Sequence, residues 1–282
     1  METFIARRQA PEKLGAWASE GHFSVSLLQQ ASRASIANYR AQMFKGRKHL
    51  LEIGTGTGSD TAALARVVEH VTTIDGDPVA SALAQKNLAL QGISNVTFLV
   101  GDAHQVVTTL SNSFDAFFAD PMRRTKMGER VKDGEDYSPT LSFLLSLSIG
   151  SLRAIKVSPG LFVEPCPYGW IRQFVGYGEE CLEQTLWFGS SLTDSSIAVT
   201  DYEEFWAPPQ QAYVPELTDE LSGYLVEAHS TINRSQHLPL FFHERGIHLF
   251  NSEVAYGVTS SLPTPCRLLT TYKILEDLPY LS

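Results

Sequence analysis

The chain has 282 residues, of which 43% are hydrophobic and 19% charged, and its formal net charge is -9 at pH 7. This length and composition suit a globular chain with a full core, and the net acidity argues against a general nucleic-acid clamp, which needs a basic face. No apolar run approaches the roughly 18 residues of a membrane span, and the N-terminus lacks the apolar block of a secretory signal, so we expect a cytoplasmic protein that does not enter a membrane.

Positive charge is concentrated in two short stretches. Arg33 to Lys48 carries five basic residues and no acidic one, and Arg123 to Lys132 carries five basic residues and one glutamate. From Asp201 to Ser282, by contrast, there are 11 acidic and 4 basic residues. An anionic ligand would therefore bind at one of the two basic stretches rather than on the surface as a whole.

The first predicted element is a polar helical segment at roughly Ser24 to Phe44. Its two arginines, Arg33 and Arg40, allow two interpretations. They lie on a solvated basic face of the helix, which is the simpler interpretation, or the helix forms a lid and they point toward a substrate.

Short apolar runs then alternate with helical stretches. The runs are HLLEI, VTTID, VTFLV, FDAFFAD and RAIKVS, and two later runs, LEQTLWF and SIAVTDY, add two candidate strands. Strict alternation of strand and helix predicts an α/β fold with a doubly wound, mostly parallel seven-stranded sheet and helices on both faces. One of these helices is predicted to begin at Pro139, with Ser138 as its N-cap.

The domain organisation is predicted from a break in this pattern. Prolines in WAPPQQAYVP interrupt it, and we place a boundary there. We expect N-terminal helices at 1–45, the sheet domain at 46–206 and a small C-terminal α+β appendage at 207–282.

The residues at the carboxyl ends of the strands are the candidate site, because ligands of such sheets bind there. The first strand ends in LEIGTGTGSD, where Gly54, Gly56 and Gly58 permit a tight turn before a helix start. The third glycine comes one residue earlier than in the dinucleotide fingerprint, and Glu52 would repel a phosphate. A cationic ligand is therefore favoured over a diphosphate.

Three further carboxylates follow the next three strands. Asp75 suits a ribose diol, Asp102 could accept from an exocyclic purine amine, and Asp120 follows the fourth strand. Any one of them could instead be a helix N-cap, but four acids at four successive strand ends favour a binding site.

These residues resemble those of the class I S-adenosylmethionine-dependent methyltransferases, over about Lys48 to Asp201. The resemblance implies a Rossmann-like methyltransferase fold with S-adenosylmethionine as cofactor. It places Glu52 near the methionine end, Asp75 at the ribose hydroxyls and Asp102 with Ala103 at the adenine. The residues that it assigns to the cofactor are Glu52, Gly54, Thr55, Gly56, Gly58, Asp75, Gly76, Asp102 and Ala103.

The loop after the fourth strand, FFADPMRR, is the candidate catalytic segment. Many nucleic-acid amine methyltransferases of this class have Asn or Asp, Pro, Pro and an aromatic there, whereas this chain has Asp120 and Pro121 followed by Met122 and Arg123. Asp120 would orient an amine, and Arg123 and Arg124 would bind an anionic group of the substrate. The alternative is that the two arginines pair internally, with Asp133, Glu135 or Asp136.

Three further residues have weaker assignments. Tyr137 could stack on a base but is more often a packing residue at such a position, and Lys156 and Ser158 could line the pocket at the end of the fifth strand. Neither the three cysteines nor the eight histidines show ligand spacing, so no metal is expected.

The segments FFADPMRR, YSP, IKVSPG and TLWFG, with the tail LLTTYKILEDLPYLS, resemble more closely an uncharacterised bacterial group with a C-terminal THUMP-like domain. This resemblance implies RNA modification, with RNA as a partner. Two alternatives stay open: a small-molecule methyltransferase with an anionic substrate, and a cofactor-binding partner subunit without catalysis. The sequence does not indicate an oligomeric state.

Overall fold

The structure is a computed structural model that describes residues 2–111, 113–123, 131–161, 166–209, 213, 216–218, 220–250 and 255–276. The chain forms two compact units. Unit 1 consists of Met1–Trp170 with Thr185–Ser191, and unit 2 consists of Ile171–Gln184 with Leu192–Ser282.

Unit 1 begins with three helices. They are α1 (Glu2–Leu14), α2 (Val25–Gln30) and α3 (Ala34–Gln42), with a 3-10 turn at Ala16–Ser19. The predicted segment at Ser24 to Phe44 is therefore two helices, and Ser24 begins the first of them because its side chain accepts from the Leu27 amide. A small apolar cluster that includes Ala10, Phe23 and Leu28 packs α1 against α2.

The sheet of unit 1 carries the predicted alternation. Its strands are β1 (His49–Ile53), β2 (His70–Asp75), β3 (Val96–Val100), β4 (Ala116–Ala119) and β5 (Leu152–Val157). The intervening helices are α4 (Ser59–Ala65), α5 (Pro78–Leu90), α6 (Ala103–Thr109) and α7 (Leu141–Ser146). The strands are parallel in the order β3-β2-β1-β4-β5, so the order reverses between β1 and β4. Ligands of open α/β sheets bind at such a reversal.

The core of unit 1 lies on both faces of this sheet. All four residues of β4 are buried; Phe117 packs in a cluster with Ile155 and Leu186, while the Phe118 ring contacts Phe44. A strand that is buried on both sides reads as a continuous apolar run, which is why FDAFFAD predicted it.

Unit 2 contains strands and two helices that contribute to one apolar cluster. Its elements are β6 (Trp170–Tyr177) from residue 171 onward, the first part of β7 (Glu180–Phe188), β8 (Ser196–Val199), β9 (Glu204–Trp206), β10 (Leu217–Thr218), β11 (Tyr224–Ala228), α8 (Ser230–Ser235), α9 (Leu238–His243), β12 (His248–Phe250), β13 (Tyr256–Thr259) and β14 (Leu269–Lys273). Strands β10 to β14 form a five-stranded sheet in the order β10-β12-β13-β11-β14. Phe174, Ile197 and Trp206 pack in one cluster with Phe241 and Phe242.

Strand β7 belongs to both units. Its residues 185–188 fall in unit 1, and its residues 180–184 fall in unit 2. Strands β6 and β9 were not among the seven predicted strands. The compact units also follow a different division from the predicted domains 1–45, 46–206 and 207–282, because residues before and after position 206 share the cluster around Phe241.

The start of α7 corrects one prediction. Thr140, not Ser138, is its N-cap, because the Thr140 hydroxyl accepts from the Phe143 amide. Ser138 instead pairs through its backbone with Met122 in an isolated bridge. Within the described ranges, every helix is too short or too polar to cross a membrane.

Candidate functional site

The glycine turn, residues Gly54–Gly58, connects β1 to α4. Gly54 has a φ of 94°, and a Cβ at this position would overlap the carbonyl oxygen of Asp120. The turn therefore lies against the residue that follows β4, which only glycine permits. At Gly56, with a φ of 51°, a Cβ would meet no atom of the described residues within 4 Å. The backbone at Gly56 is thus accessible to a ligand.

Glu52 lies in β1, two residues before the turn, and is fully buried. Its Oε2 accepts from the Thr61 hydroxyl at 2.6 Å, and its Oε1 has no hydrogen-bond partner among the described residues. Burial raises the pKa of this carboxyl to about 8, although the Thr61 hydrogen bond acts in the opposite direction. A buried oxygen without a partner is rare and indicates a place for a donor that the chain does not supply.

Asp75 closes the glycine turn from the end of β2. One carboxylate oxygen accepts from the Gly56 amide at 2.8 Å, and the other accepts from the Asp77 amide at 2.9 Å. Each oxygen retains a second lone pair, so the side chain can still accept from a ligand. Gly76, the next residue, is exposed.

Thr55 is buried within the turn. Its hydroxyl is hydrogen-bonded to that of Thr73, at 2.6 Å. The side chain is thus engaged by the sheet, and only its backbone is available for the cofactor contact that the sequence predicted.

Asp102 and Ala103 begin α6. Asp102 is the N-cap, since its Oδ1 accepts from the His104 amide at 2.7 Å, and this hydrogen bond is the main reason why its pKa is lowered. Asp102 is exposed and Ala103 is buried. The His104 ring packs on that of Phe143, with 3.9 Å between centroids. The N-cap interpretation thus describes the present contacts of Asp102, and its role toward a ligand stays a prediction.

Asp120 is held by two cations. Its Oδ2 accepts from Lys156 Nζ at 2.7 Å, and its Oδ1 accepts from an Arg123 nitrogen at 3.4 Å. The same arginine also donates to the Val157 carbonyl oxygen at 3.1 Å. Arg123 therefore pairs internally, but with Asp120 rather than with the acids suggested by the sequence. Arg124 lies outside the described residues.

A second buried carboxylate, Asp60 in the first turn of α4, extends this arrangement. Asp60 forms an ion pair with Arg40 of α3, accepts from the Ser32 hydroxyl at 2.7 Å and lies 3.8 Å from Lys156 Nζ. Burial alone would raise the pKa of Asp60, but Arg40 and Lys156 hold it below its usual value. The five ionic residues form the charge cluster: Arg40, Asp60, Asp120, Arg123 and Lys156.

Two predictions about arginines in the N-terminal helices are resolved by these contacts. The solvated interpretation is wrong for Arg40, which is 2% exposed and lies 4.9 Å from the centre of the Phe118 ring. The signal for its burial was its position in the sequence, because Arg40 falls on the helical stripe of Ile36, Ala37 and Ala41. Arg33 is partly exposed and pairs with Glu12 at 3.5 Å.

Tyr137 has the packing role that the sequence favoured. It is 3% exposed, and its hydroxyl accepts from the Ser158 amide at 3.1 Å. Burial raises its pKa. Sequence reasoning missed Ser32 and Asp60 altogether; the local signal for Asp60 is that it lies two residues after the glycine turn.

These contacts fit a ligand with an ammonium or sulfonium and with hydroxyl groups. Glu52 offers an unused buried oxygen, Gly56 offers accessible backbone, and Asp75 offers spare lone pairs. A diphosphate would meet the Asp75 carboxylate and is disfavoured. Among the residues that the structure describes, no three His, Cys, Asp or Glu side chains are grouped as a metal site requires.

Comparisons with known proteins agree with this chemistry. Residues 50–129 match a family whose description is methyltransferase domain. The chain is 27% identical, over 99% of its length and 78% of the relative's, to an uncharacterised S-adenosylmethionine-dependent methyltransferase of Mycobacterium tuberculosis. It is 48% identical over 58 residues, 21% of this chain and 26% of the relative, to a protein-L-isoaspartate O-methyltransferase of Dictyoglomus turgidum.

One solved structure resembles nearly the whole chain. It is the crystal structure of a protein from Porphyromonas gingivalis W83, which is named provisionally as a methyltransferase. The similarity has a TM-score of 0.78 at 18% identity and covers 99% of this chain and 74% of that one. At this identity the similarity establishes the Rossmann-like α/β fold and not the substrate.

Proposed function

We propose that this S-adenosylmethionine-dependent methyltransferase transfers its methyl group to a base amine of RNA, with Asp120 orienting the amine. Its cofactor is S-adenosylmethionine, which when bound supplies a methyl group on a sulfonium. The observation that carries the proposal is the contact between Gly54 and the Asp120 carbonyl oxygen. This close approach places the backbone of Asp120, the residue proposed to orient the amine, next to the glycine turn.

The glycine turn and its neighbours would hold the cofactor. Glu52, with its unused buried oxygen, would lie near the methionine end, and Asp75 would accept from the ribose hydroxyls. Asp102 and Ala103, at the start of α6, would contact the adenine. Gly54, Gly56 and Gly58 permit the approach, and Thr55 and Gly76 contribute backbone atoms.

Asp120 would orient the nucleophile rather than collect its proton: as the new N–C bond forms and the S–C bond breaks, S-adenosylhomocysteine leaves and the proton lost by the amine passes to water. Both of its oxygens already accept from cations, at 2.7 Å from Lys156 and 3.4 Å from Arg123, yet each can accept once more. A fixed acceptor restricts how an amine can approach the methyl group, and such restriction supplies much of the rate of a displacement. Met122, which follows Pro121 and is 52% exposed, offers an apolar surface to a base.

The charge at this edge of the sheet favours an anionic substrate. The charge cluster contains three cations and two carboxylates, so it is positive by one charge. Burial first, and then the charges of Lys156 and Arg33, lower the pKa of nearby Lys13 to about 8. Arg124 would add a further positive charge. RNA satisfies this preference through its phosphates.

A small anionic molecule is the second candidate substrate. Residues Asp201 to Ser282 carry 11 acidic and 4 basic residues, which leaves that segment poorly suited to grip an RNA backbone by itself. A small molecule would need only the cations near Asp120.

The test supplies cofactor with a labelled methyl group to total RNA from cells that lack the gene, and separately to a metabolite extract. Wild type is compared with Asp120→Asn and with the control Asp115→Asn. Asp115 lies at the other end of β4, and its carboxylate oxygens accept from the Lys48 and His49 amides. We expect label in RNA, reduced about 100-fold by Asp120→Asn and retained by Asp115→Asn.

Two outcomes would contradict the proposal. Label only in the metabolite fraction would select the small-molecule candidate. An absence of label in both fractions, with binding of S-adenosylhomocysteine verified by calorimetry, would indicate a partner subunit that binds the cofactor without catalysis.

A further inference from the structure

We infer that Lys156 is a positioning residue for the proposed transfer, which fixes Asp120 relative to the glycine turn by bridging Asp120 and Asp60. The expected effect on methyl transfer rests on the proposed function, whereas the contacts of Lys156 do not depend on the substrate. Lys156 is the penultimate residue of β5 and is 4% exposed. Its Nζ lies 2.7 Å from Asp120 Oδ2, 2.6 Å from Ser32 Oγ and 3.8 Å from Asp60 Oδ2.

The buried ammonium requires these acceptors. A lysine charge that has left water is costly unless it is paired and hydrogen-bonded, so these three oxygens help to determine the position of Nζ. Asp120 Oδ2 in turn cannot rotate away without leaving the ammonium short of a partner. The carboxylate is thereby fixed in one rotamer next to the glycine turn.

Asp60 connects this bridge to helix α4. It is the second residue of α4, which begins directly after Gly58, and it is itself held by Arg40 and Ser32. Lys156 therefore connects the helix that follows the cofactor turn with the loop that would hold the substrate. If methyl donor and acceptor are held by these two segments, the bridge sets the distance between them.

The side-chain type suits the task. An ammonium has three donors on one small centre and can serve three acceptors that lie in different directions, whereas a guanidinium is a planar fork. Its role is indirect, because Lys156 would contact Asp120 and not the reacting atoms. Its loss should consequently reduce the rate of transfer more than the affinity for cofactor.

The experiment compares wild type with Lys156→Met, and uses Arg153→Met as a matched control. Arg153 is another buried cation of β5, and it stacks on the Phe188 ring, so its loss reports destabilisation alone. Binding of S-adenosylhomocysteine is titrated by calorimetry, and the transfer rate is normalised to the binding-competent fraction.

For Lys156→Met we expect cofactor affinity within about threefold of wild type and a transfer rate about 100-fold lower, since misplacement of about 1 Å has such an effect. Arg153→Met should lower the melting temperature but leave the normalised rate unchanged. A normalised rate for Lys156→Met within threefold of wild type would overturn the inference.

Hydrogen exchange provides a readout that does not need the substrate. The Asp120 amide donates to the Ile53 carbonyl and the Met122 amide to the Ser138 carbonyl, so peptides that span 116–123 report the order of this loop. Faster exchange there in Lys156→Met, but not in Arg153→Met, is the expected result. Unchanged exchange would overturn the inference, whereas wild-type protein that labels neither RNA nor metabolites would overturn only the proposed function.

Discussion

Asp75 ends strand β2 and Asp120 follows strand β4 of the same sheet, yet their carboxylates have different partners. Asp75 accepts from two neutral backbone amides, of Gly56 and Asp77, and so contributes a full negative charge to its surroundings. Asp120 accepts from Lys156 and Arg123, which balance its charge and fix its position. A strand-end carboxylate that accepts only from neutral amides is therefore suited to attract a cationic ligand. One that is paired with cations is suited to orient a neutral ligand.

The largest effect is expected where the charge cluster loses a carboxylate. Asp60→Asn removes the buried negative charge that Arg40 and Lys156 share, and we expect the free energy of unfolding to fall by about 3–5 kcal/mol. Urea denaturation measures this loss. The control is Glu12→Gln, which breaks an exposed pair with Arg33 and should change stability by less than about 0.5 kcal/mol. Equal effects for the two variants would show that burial of the cluster contributes nothing.

A substitution at Gly54 disturbs both the glycine turn and the backbone at Asp120. Gly54→Ala adds strain at a φ of 94° and an overlap with the Asp120 carbonyl oxygen, for a combined loss of about 3 kcal/mol and weaker binding of S-adenosylhomocysteine. Thermal unfolding and calorimetry give the two quantities. Gly92→Ala is the control, because its φ of 68° is also strained but its Cβ would meet no described atom within 4 Å. A similar loss in both variants would mean that the close contact with Asp120 is unimportant.

The stability of the folded protein depends on pH through Glu52, which lies just before the glycine turn. Its pKa is about 8 in the folded protein and 4.5 in the reference state, so folding favours the protonated form. The stability that depends on this proton is present below pH 4.5 and is lost as the pH rises toward 8. Relative to Glu52→Gln, which mimics the protonated form, the wild-type protein should lose about 3 kcal/mol between pH 5 and 7. Denaturation of both proteins at several pH values checks this, and parallel curves would contradict it.

The smallest change in stability is expected at Asp75. Asp75→Asn can accept from only one of its two amides, and the loss should be about 1 kcal/mol. Asp115→Asn serves as the control, since Asp115 also accepts from two backbone amides. The two variants should be equally destabilised, but only Asp75→Asn should bind S-adenosylhomocysteine about tenfold more weakly, which calorimetry measures. Equal affinities would remove Asp75 from the ribose site.

The fold of unit 1 was predictable because its signals are local. Strands β1 to β5 are short apolar runs, and each can be recognised without knowledge of its neighbours. Strand β6 was missed because its sequence, WIRQFVGY, contains Arg172 and Gln173, which look incompatible with a buried strand. Arg172 is tolerated there because Asp194 and Ser195 accept from it, about 20 residues further along the chain.

The contacts of the candidate site also differ in whether the sequence predicts them. The Asp75 contact with Gly56 follows from strand ends that meet at one edge of a parallel sheet, so the sequence predicted their proximity. The bridge from Ser32 to Lys156 spans 124 residues and depends on how the N-terminal helices pack on α4. No spacing in the sequence encodes that packing, and so the contacts of Lys156 with Ser32 and Asp60 could not be foreseen.

The apolar cluster of unit 2 limits how the chain can be divided for experiments. A fragment that ends at residue 206 would retain Phe174, Ile197 and Trp206 but lose Phe241 and Phe242, which pack with them. Such a fragment would present a water-exposed aromatic surface and should aggregate on expression. Point substitutions in the intact chain are consequently the sound way to separate the contributions of its parts.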